Sequence, residues 1–385
     1  MNLFLELLQI SVGGRAVHDS CLMTKSVTAA EWYAVLEEAE RQAVVGVMFC
    51  GIEQLKENEA KCVESMPQEL MLQWIGEVMQ IEQQNVVTTK SCLELCRQFE
   101  KDGLKTCVLK GQANHRYYPA QMANRRNCGD IDIWVGEKNN SSVNVGKVLD
   151  YVDKHWERTG LCWLHCNFTE KDGVPVEVHF HPSFFSRPWS NRRLQKHFAN
   201  IENCVKVVNV DGAGMPTMKV EEDVIYQMNH IFRHLIDEGV GLRQIVDYYF
   251  LLLYFNEYES LTIDRKLYIN NTIEELGMKR FASALMYVLR ELLGMPEEYL
   301  LCTASKKDGR FLMNEILMSG NFGQGDPRMA DLNAAHGYLQ GRMSQAWRRF
   351  KRNMRFLTSY PGEVIWEPIV RVEHFAWKKL EMWKW

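Results

Sequence analysis

Val108–Val135 reads VLKGQANHRYYPAQMANRRNCGDIDIWV. An apolar run at Thr106–Leu109 ends in a turn at Leu109–Lys110–Gly111. A helical stretch follows over Gln112–Tyr118, and a second apolar run spans Ile131–Val135. Side chains alternate across a strand, so Ile131 and Ile133 share the face turned to the core, while Asp130 and Asp132 share the other. Two carboxylates side by side raise each other's pKa unless a cation sits between them. A hard divalent cation such as Mg²⁺, which takes one or two carboxylates together with substrate phosphates, removes that repulsion. A D-x-D pair alone is weak evidence, because a solvated strand edge looks the same. The upstream turn adds to it. Backbone N–H groups where a strand hands over to a helix suit phosphate, Lys110 supplies a point charge, and Arg125 and Arg126 supply bidentate donors.

Val174–Phe180 (VPVEVHF) continues the pattern. Val176, Val178 and Phe180 face the core, leaving Glu177, His179 and His181 on the opposite face. Glu177 completes a three-carboxylate cluster if its strand lies beside the Asp130–Asp132 strand. Leu161–Phe168 and Val205–Val210 read as further strands, and the D-G signal in Glu170–Gly173 joins the third and fourth runs as a hairpin. Ser142–His155 is helical.

Elsewhere the period is helical. Thr28 and Glu31 form a capping box ahead of Trp32, Val35, Leu36 and Ala39. A long helix from Pro67 towards Phe99 is expected to break near Asn85–Thr89. Val220–Glu238, Leu242–Tyr254, Ile273–Leu293 and Asn333–Leu357 carry the same spacing. The expectation is an α+β protein: an N-terminal helical region at 1–101, a small mixed-sheet core at 102–210, and a C-terminal helical domain at 211–385 that faces the cleft.

The 385 residues are 46% hydrophobic and 24% charged, with a net charge of -4. That excludes a mainly disordered chain, and one that neutralises nucleic-acid phosphate over its whole surface. Arg342–Arg355 carries six basic residues and no acidic one. A solvated helix face is its default reading, and contact with an RNA or another anionic partner is the sharper one. No run approaches the ~18 apolar residues of a membrane span. Met1–Ile10 lacks the positive n-region of a secretion signal. Eleven scattered cysteines then read as free thiols in a reducing cytoplasm.

The h-K-G turn, the D-h-D-h strand and the later h-E-h strand together resemble the nucleotidyltransferase superfamily typified by DNA polymerase beta. More narrowly, they resemble its bacterial branch of uncharacterised nucleotidyltransferase-like proteins. The likeness is strongest over 105–182 and extends more loosely through His230, His234 and Gly241–Asp247. The turn is Lys-Gly where most of the superfamily has Gly-Gly or Gly-Ser, and the interval from Gly111 to Asp130 is long for the superfamily. The resemblance implies that Asp130, Asp132 and Glu177 hold Mg²⁺ or Mn²⁺, and that Lys110 and Gly111 contact NTP phosphates beside Arg125 and Arg126. His179, His230, Arg243 and Asp247 are candidates for the cleft wall. The implied reaction is two-metal, in-line transfer of a nucleotidyl group to a hydroxyl of a small molecule, RNA or protein, with Glu177 on the acceptor side.

Two rival readings stay open: a metal-dependent phosphohydrolase using Asp130, Asp132, His179 and His181, and a nucleotide-binding protein without turnover. The remaining signals read as structure. Cys162, His165 and Cys166 alternate on a strand as buried thiols and a polar partner, and Cys92 and Cys96 belong to a helix core. His230 and His234 form a core or cleft-facing pair. Arg243 and Asp247 stand at the spacing of a helix ion pair. Gly320–Gly325 is an interhelical loop, and the tail with Trp366, Trp377, Trp383 and Trp385 reads as packed on the body, with a partner surface as the alternative.

Overall fold

A computed structural model describes residues 2–137, 144–170, 172–210, 212–259, 261–323, 326–328 and 338–383, without the side chains of 338–345 and 381–383. Its strands are β1 (Leu104–Val108), β2 (Ile131–Glu137), β3 (Gly160–Leu161), β4 (His165–Thr169), β5 (Pro175–His179), β6 (Val205–Val210) and β7 (Ala213–Met218). They form one mixed sheet in the order β3-β4-β5-β2-β1-β7-β6. β2 runs antiparallel to β1 and parallel to β5, while β4 and β5 form the antiparallel pair that the D-G signal announced. The β2–β5 register sets Asp132 opposite Glu177 and Trp134 opposite His179. Because the side-chain period is two, a slip of one residue would place the acids on opposite faces.

Two strand expectations change. Leu161–Phe168 is broken into β3 and β4, because the chain turns where Cys162 N donates to the His165 carbonyl at 2.9 Å. Strand β7 lies beyond residue 210 and was not foreseen, since Pro216 argues against a strand. The proline is tolerated because β7 meets β1 only at Val108–Thr217.

The helices follow their local signals with three exceptions. The capping box forms as expected, with Thr28 N donating to Glu31 Oε2 at 2.8 Å and Glu31 N to Thr28 Oγ1 at 3.3 Å. The helix after Pro67 runs unbroken over Gln68–Lys101. Its polar stretch at Asn85 is an anchor rather than a break, for Asn85 Nδ2 donates to the carbonyls of Asn124 and Arg126, each at 2.8 Å. Ile273–Leu293 divides into the ends of two helices, Ile263–Leu276 and Lys279–Leu293. Gly277 separates them at φ +78°, a left-handed end that glycine adopts freely. Gln112–Tyr118 is a short 3-10 helix, Gly111–Tyr117, not an α-helix. Of Asn333–Leu357, the helix Tyr338–Phe356 is seen and 333–337 lie outside the described residues.

Both faces of the sheet are covered. Ile131, Ile133 and Val135 pack with Val176 and Val178 against Phe99, Val148, Leu149 and Val152. On the other face Cys107 and Trp134 join the large core that holds both the N-terminal and the C-terminal helices, with Trp134 edge-on to Phe198. Trp134 shares the face of Asp132, so the acidic face is roofed rather than solvated, and Asp132 is only 2% exposed. All eleven cysteines are free thiols. Among the described residues no helix is long and apolar enough to cross a membrane.

Two histidines, His234 buried and His115 half-buried, set a pH limit. Burial, with Arg126 beside it, lowers His115 to about 4, and burial, with Arg233 beside it, lowers His234 to about 4. In the unfolded chain these imidazoles titrate at ~6.5 and bind protons that the folded ones refuse. Their contribution to stability is complete above that value and is lost as pH falls towards 4. The melting temperature should therefore drop between pH 6.5 and 4, with a shallower drop in the His115→Gln/His234→Gln double variant. Equal slopes would contradict the assignment.

Candidate active site

Lys110 follows β1 at the turn, where Leu109 N donates to the Asp132 carbonyl at 3.0 Å and ties the turn to β2. The Lys110 ammonium lies 2.5 Å from Asp132 Oδ2 and 3.5 Å from Asp130 Oδ1. His179 Nε2 reaches Asp132 Oδ1 at 2.9 Å, and its Nδ1 faces the His181 carbonyl at 3.3 Å. Both ring nitrogens thus meet acceptors, which calls for the doubly protonated imidazolium. Burial opposes that charge, but hydrogen bonds to Asp132 and Glu177 overcome it and raise His179 to about 9.

Glu177 Oε2 lies 3.5 Å from Nε2 of both His165 and His179, and Asn167 Nδ2 donates to its Oε1 at 3.4 Å. Burial would raise Glu177, yet His179 and His165 hold it down at about 2. Asp132 is also lowered: burial acts upward, and Lys110 with His179 acts downward more strongly. Lys110 itself is raised, because Asp130, Asp132 and Glu177 outweigh its burial.

Asp132, Glu177 and His179 each offer a ligand atom, and these atoms lie within 4.8 Å of one another. The carboxylate oxygens fit a hard divalent cation. The imidazole fits one only when neutral, and here it acts as a donor to the carboxylates. Asp130 is not part of that trio. It stands across Lys110, its side chain 32% exposed at the cleft mouth. The positive charge that this donor set demands is carried by Lys110 and His179.

Lys110, Gly111 and Asp130 line one side of the cleft, and His230, Arg243 and Asp247 from the C-terminal helices line the other. Gly111 makes its turn at φ +61°, where a Cβ would strain the backbone. Arg126 also lines the cleft, but its fork is committed to Asp247, with Nε–Oδ1 at 2.6 Å and Nη2–Oδ2 at 2.7 Å. This corrects the expected Arg243–Asp247 helix pair, since a residue 121 positions away takes the carboxylate instead. Arg125 is held outside the cleft lining by Glu82 at 2.8 Å and by Glu53. His181 stacks on Trp163, with ring centroids 4.4 Å apart, and does not join the carboxylates. His230 is kept neutral, its pKa well lowered by burial and then by His234 and Lys110.

Sequence reasoning missed His165 and Asn167 as supports of Glu177. The available signal was alternation along β4, whose register sets Asn167 opposite Glu177 and His165 opposite His179. The basic run at Arg342–Arg355 is only partly solvated. Arg355 lies 3.5 Å from Glu315, Arg352 is half-buried, and the side chain of Arg342 is outside the described residues. In the tail, Trp366 packs edge-on against Trp189 at 6.1 Å, whereas Trp383 and Trp385 are outside the described side chains.

The site is thus a lysine-bridged acidic floor on a mixed sheet, closed over by helices. Residues 28–294 match the family described as uncharacterised nucleotidyltransferase, and the chain belongs to that family. Among solved structures it is similar to an antigenic nucleotidyltransferase-like protein from Paracoccidioides brasiliensis. That similarity has 11% identity over 49% of this chain and 92% of the other, with a TM-score of 0.30. A comparison with curated proteins finds no match.

Proposed function

We propose that the chain moves a nucleotidyl group from an NTP to a hydroxyl acceptor, with Mg²⁺ or Mn²⁺ held by Asp130, Asp132 and Glu177 in place of the Lys110 ammonium, which turns to the phosphates. The observation that carries this reading is the β2–β5 register, which seats Asp132 opposite Glu177 on a covered floor beside Lys110. Membership of a nucleotidyltransferase family supports it. A bound divalent ion would neutralise the α-phosphate and the leaving pyrophosphate and acidify the acceptor hydroxyl.

The side chains do the rest. Lys110 keeps Asp132 ionised while the site is empty of substrate and brings a second positive charge to the phosphates. His179 fixes the orientation of Asp132 from below. Glu177, on the acceptor side, is held ionised far below neutrality, which suits it to orient the acceptor rather than to store its proton. His230, Arg243 and Asp247 of the C-terminal helices wall the back of the cleft. An RNA or other anionic acceptor would find Arg349 and Lys351 exposed on the helix Tyr338–Phe356. A reducing cytoplasm suits the free thiols.

The test is to incubate the protein with α-phosphate-labelled ATP, CTP, GTP or UTP, Mg²⁺ or Mn²⁺, and cell extract. The expected result is label on a hydroxyl-bearing acceptor that disappears in Glu177→Gln. NTP binding with no transfer in any extract would favour the non-catalytic reading, and release of phosphate without a labelled acceptor would favour the phosphohydrolase.

A further inference from the structure

Arg243 carries its charge where little around it favours one. It lies in the first turn of the helix Leu242–Glu257, where the helix dipole is already positive. Burial foremost, and then the neighbouring Arg126, lower its pKa, and Asp247 and Asp130 offset this only in part. Asp247 is already engaged by the Arg126 fork and by Tyr118 Oη at 2.6 Å. Arg243 Nη1 reaches only the Asn127 carbonyl, at 3.4 Å, and Nε is buried with no hydrogen-bond partner among the described residues.

A half-buried guanidinium whose Nε is enclosed and left this poorly satisfied is unfavourable in the empty protein, and such groups cluster where a ligand completes them. The position of this one is specific. A Cβ built on Gly129 would lie 3.5 Å from Arg243 Nη1, so the guanidinium rests against the residue that precedes Asp130. Phe322 covers it, with the ring centroid 5.4 Å from the guanidinium carbon. Phe322 holds φ +53°, a backbone state that strains a non-glycine residue.

We propose that Arg243 is the anion receptor of the cleft. It takes the terminal phosphates of a polyphosphate chain with its planar fork, and the Phe322 ring is the cover that the anion displaces. The inference rests on the nucleotidyl-transfer reading for the kind of anion, and it replaces Arg125 and Arg126 in that role because their donors are committed to carboxylates.

The test is a calorimetric titration of the metal-free full chain with tripolyphosphate in the presence of a chelator. Wild type should bind, and Arg125→Met should bind equally well. Arg243→Met should lose at least tenfold in affinity, yet melt no lower than wild type without ligand, since it removes a poorly compensated charge. Arg243→Lys, which keeps the charge without the fork, should lose part of the affinity, and Phe322→Ala should bind at least as tightly as wild type. Undiminished tripolyphosphate binding in Arg243→Met and Arg243→Lys would overturn the proposal. So would a lowered melting temperature at unchanged affinity. Arg243-dependent binding without any nucleotidyl transfer would sink the transfer reading and leave the receptor standing, and the reverse result would do the opposite.

Discussion

Asp132→Asn should reduce nucleotidyl transfer by on the order of 10²–10⁴-fold, the several kcal/mol that metal-assisted stabilisation of a transferring phosphoryl group supplies. The argument is local. Asp132 is 2% exposed, lies 2.5 Å from the Lys110 ammonium and accepts from His179 at 2.9 Å. Neutralising it removes one carboxylate from the proposed metal set and leaves two cations with less than they need. Lys110 then keeps Asp130 at 3.5 Å as its ion-pair partner, with Glu177 acting from further off, and His179 keeps Glu177 at 3.5 Å. The same change should weaken the fold, since breaking one side of a buried charge pair costs about 3–5 kcal/mol. Glu177→Gln separates the two effects. Its side chain is 23% exposed and holds no lysine, so it should keep the fold while losing transfer. Measured transfer rates beside melting curves decide the matter: a folded Glu177→Gln that transfers at the wild-type rate rules out the catalytic assignment.

The second large effect concerns stability rather than turnover. Arg126→Met should destabilise the protein by about 3–5 kcal/mol, because it strands Asp247 in the interior with Tyr118 as its remaining hydrogen-bond partner. At roughly 2–4 °C per kcal/mol for a domain of this order of size, the melting temperature should fall by about 10 °C. Asp247→Leu should be comparably harmful, leaving a buried guanidinium without its carboxylate. The double variant Arg126→Met/Asp247→Leu should recover most of the loss, since an apolar pair of similar volume carries no desolvation penalty. Three melting curves test this, and strictly additive losses would show that the pair is not coupled.

These two sites were legible in the sequence to different degrees. The alternation of Ile131 and Ile133 against Asp130 and Asp132 placed the acids on one face, because a period of two is a local property of any strand. The covering of that face was expected only in outline, as helices facing the cleft; Trp134 was read only as part of an apolar run, and its edge-on contact with Phe198 is a tertiary fact. Thr28 and Glu31 formed their cap as expected, for both members lie within one turn. Strand β7 was lost because Pro216 weighs against a strand locally, and its single pairing with β1 is a tertiary fact. Asn85 looked like a helix breaker from its neighbours alone, yet it anchors the loop that carries Arg126.

The eight-residue stretch from Gly129 to Gly136 returns the same division. Strand, phase and acidic character follow from the order of its residues, because sterics and alternation act over one or two positions. Which strand lies beside it does not. The register that brings Glu177 to Asp132, the choice of Arg126 over Arg243 as partner of Asp247, and the roofing of the acids depend on distances in space. Coulomb energy and burial fall off with those distances and take no account of separation along the chain.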